Sequence, residues 1–265
     1  PTDWVHPIVV QHKKGTGKIR LCVDFRQLNT YSKRYIYQSL SPLESAQRIK
    51  ASEAGIFSCF DAVKGYHQIA LDEESIPLTT FLTPFGRYQY LKAPFGVNSI
   101  SEFFNIVMDE KTEEVENKER IVDDVLLYDK AIPTHEIRVR QFLTICREHG
   151  IRLHRDKFVY AQKEVEFAGF VISSDGYKIN PKITEAVKKF PPPKNRKNLK
   201  SFWGLANQLS STNEELAMIM NPFRELMKEK NAFIWDNVHE EAFSKAKKFL
   251  ASPKVMAFYE AGQPL

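Results

Sequence analysis

Two aspartates, Asp123 and Asp124, stand side by side in the run IVDDVLLY (121–128), whose other residues suit a β-strand. Two charges in such an apolar run are costly unless something neutralises them. Successive strand side chains point to opposite faces, so one of the pair faces a shared site while the other sits behind it or turns at a hairpin tip. Asp61, at the end of FSCFD (57–61), is the companion this reading selects. Carboxylates gathered within a few ångströms resist joint ionisation, and divalent cations remove that penalty. With oxygen donors only and no His/Cys cluster, the cation expected is Mg²⁺ or Mn²⁺ rather than zinc. A site of this kind that handles phosphoryl groups uses two ions about 3.5–4 Å apart. An Asp-Asp pair also fits a hairpin tip capped by carboxylates, with no chemistry attached.

Basic residues supply the complementary signal. Lys13, Lys14, Lys18 and Arg20 surround the turn KKGTGK between IVVQH (8–12) and IRLCVDF (19–25), an expected β-hairpin with a basic tip placed to grip a triphosphate; a solubilising loop explains them equally well. Residues 1–60 carry nine Lys/Arg against four Asp/Glu, and 188–200 carry six Lys/Arg and no acid, whereas 109–119 is mostly acidic. The two basic stretches suit a polyanion backbone, or simply solvated surfaces.

The elements that would position these residues follow from periodicity and punctuation. The chain has 265 residues, 43% of them hydrophobic and 27% charged, which excludes disorder, collagen and coiled coil. No apolar stretch approaches the ~20 residues of a membrane helix. Three cysteines at wide spacing, Cys22, Cys59 and Cys146, read as small buried hydrophobes in a reducing compartment. Ser41-Pro42-Leu43-Glu44 predicts a capped helix start, with the helix running to about Lys50, and Ser99-x-x-Glu102 predicts another capping box. After the latter, Ile100, Phe103, Phe104, Val107 and Met108 form an amphipathic face. GIFSCFD (55–61) is a buried strand, and LTTFLTPFGRYQYL (78–91) is two strands around Pro-Phe-Gly. IVDDVLLY is a strand pair or one interrupted strand. Beyond Pro133 comes a helix with Val139, Phe142, Leu143 and Cys146 on one face, closed at Gly150. EVEFAGFVIS (164–173) alternates as a strand before the turn SSDG, and helices are expected over 182–190, 198–209, 213–229 and 239–251. PPPKNRK (191–197) is a candidate hinge. Strands come first and helices last, an α+β layout.

In order and spacing, IRLCVDFRQLN (19–29), FSCFDAVKGYHQI (57–69), TPFGRYQYLKAPFGVNS (83–99), IVDD (121–124), KEVEFAGFVIS (163–173) and FWGLANQ (202–208) resemble the reverse transcriptase segment of gypsy-type LTR retrotransposons. The resemblance covers essentially the whole chain. It implies an α+β right-hand polymerase with fingers (1–35 and 69–97), palm (36–68 and 98–173), thumb (174–231) and the start of a connection segment (232–265). It implies a reverse transcriptase, extending a primer 3′-hydroxyl with dNTPs on RNA or DNA templates. Asp61, Asp123 and Asp124 are then the catalytic acids and the ligands of two Mg²⁺ (or Mn²⁺) ions, Asp61 and Asp123 the firmer pair. Lys13, Arg20, Ala62, Tyr66, Phe95, Gly96 and Val122 become the nucleotide-contacting positions. Tyr66 matches an aromatic gate under the sugar, which disfavours a 2′-hydroxyl and hence an RNA product. Phe167, Ala168 and Gly169 match the strand that grips the primer end. The implied partners are an RNA template, a DNA primer or RNA–DNA hybrid, and dNTPs, without a membrane and with a homodimer left open. The implied location is intracellular and cytoplasmic, in the virus-like particle of a retroelement.

The sequence departs from the family pattern at several points. Ile121 stands where a tyrosine is usual, polar ENKER (116–120) weakens the expected central strand before the acids, and Asn98-Ser99-Ile100-Ser101 replaces an Asn/Ser-Ala-Pro run. Phe158 replaces a usual cysteine, and Gln208-Leu209-Ser210 an aromatic-rich run. Ile121 and ENKER leave open an alternative, a retrotransposon-derived non-catalytic module that keeps the fold and binds nucleic acid or protein. The start, PTDWVHPIVV, opens in mid-structure without signal-peptide features, and the end falls where a ribonuclease H domain is expected to follow. The chain therefore reads as the polymerase portion of a polyprotein.

Overall fold

Turn and cap chemistry sets the element boundaries in the structure, a computed structural model that describes residues 2–12, 19–210 and 214–252. The first elements are β1 (Ile8–His12), β2 (Ile19–Val23), α1 (Arg26–Tyr31), α2 (Pro42–Arg48), β3 (Ile56–Asp61), β4 (Phe81–Thr83) and β5 (Gly86–Tyr88). The middle of the chain forms α3 (Ile100–Lys111), β6 (Lys118–Ile121), β7 (Asp124–Asp129) and α4 (Ile132–Glu148). Then come β8 (Val159–Gln162), β9 (Glu164–Phe167), β10 (Phe170–Ser173), β11 (Gly176–Ile179) and α5 (Pro181–Lys188). The last helices are α6 (Arg196–Ser210), α7 (Glu214–Met220), α8 (Phe223–Met227) and α9 (Asn237–Leu250).

The chain divides into two compact units. The first comprises Pro1–Ser39, Cys59–Val125 and Glu136–Phe158; the second comprises Leu40–Ser58, Leu126–His135 and Val159–Leu265. A four-stranded sheet runs in the order β6-β7-β3-β8, and β3 and β7 each contribute residues to both units. The PPPKNRK segment, expected as a hinge, has both flanks inside the second unit.

In the first unit β1 and β2 form the expected antiparallel hairpin, with Ile8 opposite Val23 and Gln11 opposite Arg20. Lys13, Lys14 and Lys18 lie outside the described residues. Val23, Phe25 and Leu28 make a small core with Trp4, Leu78 and Tyr90 packed on it. Helix α3 forms where its periodicity predicts, burying Ile100, Phe104 and Met108, but the capping box at its start does not form. Ser99 already has helical backbone angles and makes no side-chain cap, while Glu102 turns away to Arg34 Nε at 2.6 Å. Phe103 points outward. In α4 the buried face is Val139, Phe142, Ile145 and Cys146, with Leu143 exposed in place of its expected burial. Of the three cysteines only Cys146 is buried; Cys22 and Cys59 are half-buried, and all three are free thiols.

The second unit opens with α2, whose capping box is complete: Ser41 Oγ accepts from Glu44 N–H, and the Glu44 carboxylate accepts from Ser41 N–H. EVEFAGFVIS is not one strand but the β9–β10 hairpin, reversed at Ala168 (φ 48°) and Gly169 (φ 94°), with Phe167 opposite Phe170. The pattern across 213–229 is two helices, because Pro222 interrupts the ladder between α7 and α8. A helical core of Leu199, Phe202, Leu216, Phe223 and Phe243 holds this part together, with the Phe202 and Phe243 rings 4.8 Å apart.

A buried polar network crosses this unit. Asp129 Oδ2 accepts from His135 Nδ1–H at 2.8 Å, Ser58 O–H donates to His135 Nε2 at 2.7 Å, and Ala161 N–H donates to Ser58 Oγ at 2.9 Å. Ser58, Asp129 and His135 are at most 1% exposed. The Ser-His-Asp connectivity is that of a hydrolytic triad, but no path leads a substrate to a sealed serine whose oxygen is already engaged.

Candidate active site

Three local features bring the acids together in the first unit. Asp61 is the last residue of β3, and the next amide, Ala62 N–H, donates to Asp123 O at 2.8 Å, so the end of β3 is tied to the β6–β7 turn. That turn is Val122-Asp123. Val122 sits at φ 53°, a left-handed conformation unfavourable for a β-branched residue, so the turn stores strain at the base of Asp123. Arg120 holds the strained turn, donating from Nη1 to Val122 O at 3.0 Å and to Asn105 Oδ1 at 2.8 Å, and from Nε to Asp109 Oδ1 at 2.8 Å.

Asp123 occupies the space where a side chain at residue 65 would stand. A Cβ added to Gly65 would lie 2.1 Å from Asp123 Oδ1 and 2.8 Å from Phe104 Cζ, so glycine is required there by close approach. Asp123 Oδ1 is buried with no hydrogen-bond partner. Burial first, then the charges of Asp61 and Asp124, raise the Asp123 pKa above the usual carboxylate range. Asp124 is raised in the same way, by burial and then by the charge of Asp61. The neighbouring Cys59 thiol is pushed up to about 12 by burial and by Asp124. The only cation in contact with Asp61 among the described ion pairs is Lys157, whose Nζ lies 2.5 Å from Asp61 Oδ2. These are crowded, half-buried carboxylates whose mutual repulsion a hard divalent cation would relieve, and the orphaned Asp123 oxygen fits a ligand in waiting.

Beside the acids stands an aromatic group. Tyr66 lies 4.8 Å from Phe95 and 5.5 Å from Phe104 between ring centroids, and its hydroxyl donates to Ser101 Oγ at 3.2 Å. Phe95 is half exposed. Gly96 has φ 101° and its carbonyl accepts from Asn29 Nδ2 at 2.8 Å, which anchors the Phe95-Gly96 turn. Ala62 is buried with Phe104 and Met108, and Tyr66 and Val122 pack on that cluster.

Of the residues predicted from sequence, Asp61, Ala62, Tyr66, Phe95, Gly96, Val122, Asp123 and Asp124 thus all fall in the first unit. Arg20 lies in β2, and Lys13 lies outside the described residues. Phe167, Ala168 and Gly169 form the tip of the β9–β10 hairpin of the second unit. Sequence reasoning missed Lys157, Arg120 and Gly65. Gly65 was signalled by a glycine directly before Tyr66; Lys157, 96 residues from Asp61, carried no signal. The expectation that ENKER weakens a central strand is corrected: β6 is an edge strand, where polar residues are at home, and its Arg120 supports the turn. Ile121 remains as the departure behind the non-catalytic alternative.

The family of reverse transcriptases (RNA-dependent DNA polymerase) matches residues 11–172. The chain belongs to that family. It is 28% identical over 269 residues to the Retrovirus-related Pol polyprotein from transposon opus of Drosophila melanogaster, covering 95% of this chain and 27% of that protein. It is 29% identical to the corresponding polyprotein from transposon gypsy of the same fly, covering 96% of this chain and 26% of the polyprotein. The chain thus spans about a quarter of the length of these relatives, and the resemblance to gypsy-type elements is borne out. Among solved structures, the foamy viral protease-reverse transcriptase dRH in complex with ds DNA superposes with a TM-score of 0.87 at 19% identity, over 98% of this chain and 46% of that one. The α+β polymerase fold expected from the sequence is therefore the observed fold.

Proposed function

We propose that this chain is a reverse transcriptase polymerase module, an RNA- and DNA-templated DNA polymerase. The observation that carries the reading is the convergence of Asp61, Asp123 and Asp124 at the β3 end and the strained β6–β7 turn, with two of the three held above the ordinary carboxylate pKa. In the reaction the primer 3′-hydroxyl oxygen attacks the α-phosphorus of a dNTP, the bond to the bridging oxygen breaks, and pyrophosphate departs.

Asp61, Asp123 and Asp124 would hold two Mg²⁺ or Mn²⁺ ions. When bound, such ions supply charge neutralisation and Lewis-acid polarisation of the phosphoryl oxygens. The remaining residues provide positioning, the larger part of catalysis in phosphoryl transfer. Tyr66, buttressed by Phe95, Phe104 and the Ser101 hydroxyl, would lie under the sugar and disfavour a 2′-hydroxyl. Gly96 and Val122 shape the backbone of the nucleotide side, and Lys13 and Arg20 take the triphosphate. Phe167, Ala168 and Gly169 hold the primer end on a rigid hairpin.

The division into fingers (1–35 and 69–97), palm (36–68 and 98–173), thumb (174–231) and connection start (232–265) belongs to the same proposal. The nucleic-acid partner is supported by the foamy viral neighbour, seen with ds DNA. The six Lys/Arg of 188–200 suit sequence-indifferent phosphate contacts. The test is primer extension on poly-A/oligo-dT and on a DNA template, with Mg²⁺ or Mn²⁺. Incorporation on both templates, with dNTPs preferred to rNTPs, is expected. A well-folded sample that incorporates nothing at any metal concentration contradicts the proposal.

A further inference from the structure

The carboxylate cluster carries a cation of its own. Lys157 Nζ contacts Asp61 Oδ2 at 2.5 Å, and the charges of Asp124 and Asp123 also act on it. The lysine side chain is 57% exposed against 17% for Asp61, so the aspartate is fixed in the site while the long lysine stem is the part free to leave. The backbone keeps the ammonium nearby: His154 N–H donates to Asp61 O at 2.8 Å, and Lys157 N–H donates to His154 O at 3.2 Å across the single 3-10 turn Arg155–Lys157. Asp61 therefore has its charge answered locally, while Asp123 retains a buried oxygen with no partner. Among the described residues, no three His, Cys, Asp or Glu side chains are disposed to hold a metal ion together. A divalent ion on Asp61 Oδ2 would meet a positive charge a few ångströms away, an arrangement Coulomb repulsion disfavours.

We propose that Lys157 is an internal counter-ion that competes with divalent cations for Asp61 and has to swing off before the cluster takes one. The proposal rests on the metal-site reading above. Removal of the ammonium should free Asp61 and leave the carboxylates uncompensated, a state that metal relieves.

The experiment is Mn²⁺ titration of the chain without nucleotide or nucleic acid, read by the electron paramagnetic resonance of free Mn²⁺ and by isothermal calorimetry. Lys157→Met should bind Mn²⁺ about two- to fivefold more tightly than wild type, the range expected from losing a partly exposed ion pair. Lys157→Arg, which keeps the charge, should show no gain. In an Asp61→Asn background, Lys157→Met should add nothing. A Met variant that binds no more tightly than wild type overturns the proposal, as does a gain of equal size in the Asp61→Asn background. Mn²⁺ binding that Asp123→Asn abolishes and Lys157→Met leaves unchanged overturns it alone. If neither wild type nor Lys157→Met binds Mn²⁺, in samples with native circular dichroism, the metal-site reading itself falls and the proposal with it.

Discussion

Strands β3 and β7 carry two acid-containing clusters with opposite characters. At one end, Asp129 meets His135 and Ser58 in a sealed network in which each polar group has a partner. At the other, Asp61, Asp123 and Asp124 are crowded and only partly buried, with Asp123 Oδ1 left orphaned and a strained Val122 beside it. A buried acid that is fully hydrogen-bonded rigidifies a fold, whereas an acid held at electrostatic cost needs a different explanation. The aspartates are of one residue type on shared strands, and only their surroundings separate scaffold from site. The Ser-His-Asp set, the more familiar catalytic constellation by composition, is the structural one here.

The contrast can be broken experimentally at either end. The largest stability effect should come from the sealed network: His135→Ala leaves Asp129 and Ser58 buried without their partner, costing about 3 kcal/mol and lowering Tm by about 6–10 °C. Equilibrium denaturation checks this, and unchanged stability would remove the scaffold role. Gly65→Ala is next, since its Cβ would overlap Asp123 Oδ1 at 2.1 Å. Overpacking should cost about 1–2 kcal/mol, while displacement of Asp123 lowers nucleotide incorporation by about tenfold or more. A melting curve and a steady-state assay on one preparation separate the two losses.

The smallest effect has the opposite sign. Asp123 is held above its ordinary value of 3.8, so its proton is bound more tightly in the folded state than in the unfolded one. The metal-free protein accordingly loses stability as pH rises from about 3.8 through the raised native pKa, and the neutral Asp123→Asn variant escapes that loss. The variant should melt about 2 °C above wild type at pH 7, and the gain should fade as pH approaches 3.8. A gain that persists unchanged in acid would point to packing instead of charge.

Much of this layout was legible because it rests on local chemistry. The hairpin of residues 8–23, the capping box at Ser41 and the strand ending on Asp61 are each set by adjacent residues. What escaped depends on distant partners. Ser99 and Glu102 have the spacing of a capping box, but Arg34, 68 residues away, claims the glutamate. ENKER looked too polar for the sheet because its edge position is a property of strand order, which periodicity does not encode. Lys157 reaches Asp61 across 96 residues, and no pattern in Arg-Asp-Lys announces it. The Asp-Asp dipeptide suits both a hairpin tip and a metal site; the structure puts Asp123 in the turn and also beside the other acids.

Single-turnover incorporation of one dNTP on a preformed primer–template complex, compared among wild type, Asp61→Asn and Asp123→Asn, addresses the polymerase reading most directly. Loss of about a thousandfold or more in rate for both variants is expected, with primer–template affinity retained and no fall in melting temperature. Incorporation by either variant at the wild-type rate would contradict it, because the three carboxylates would then meet for no chemical purpose.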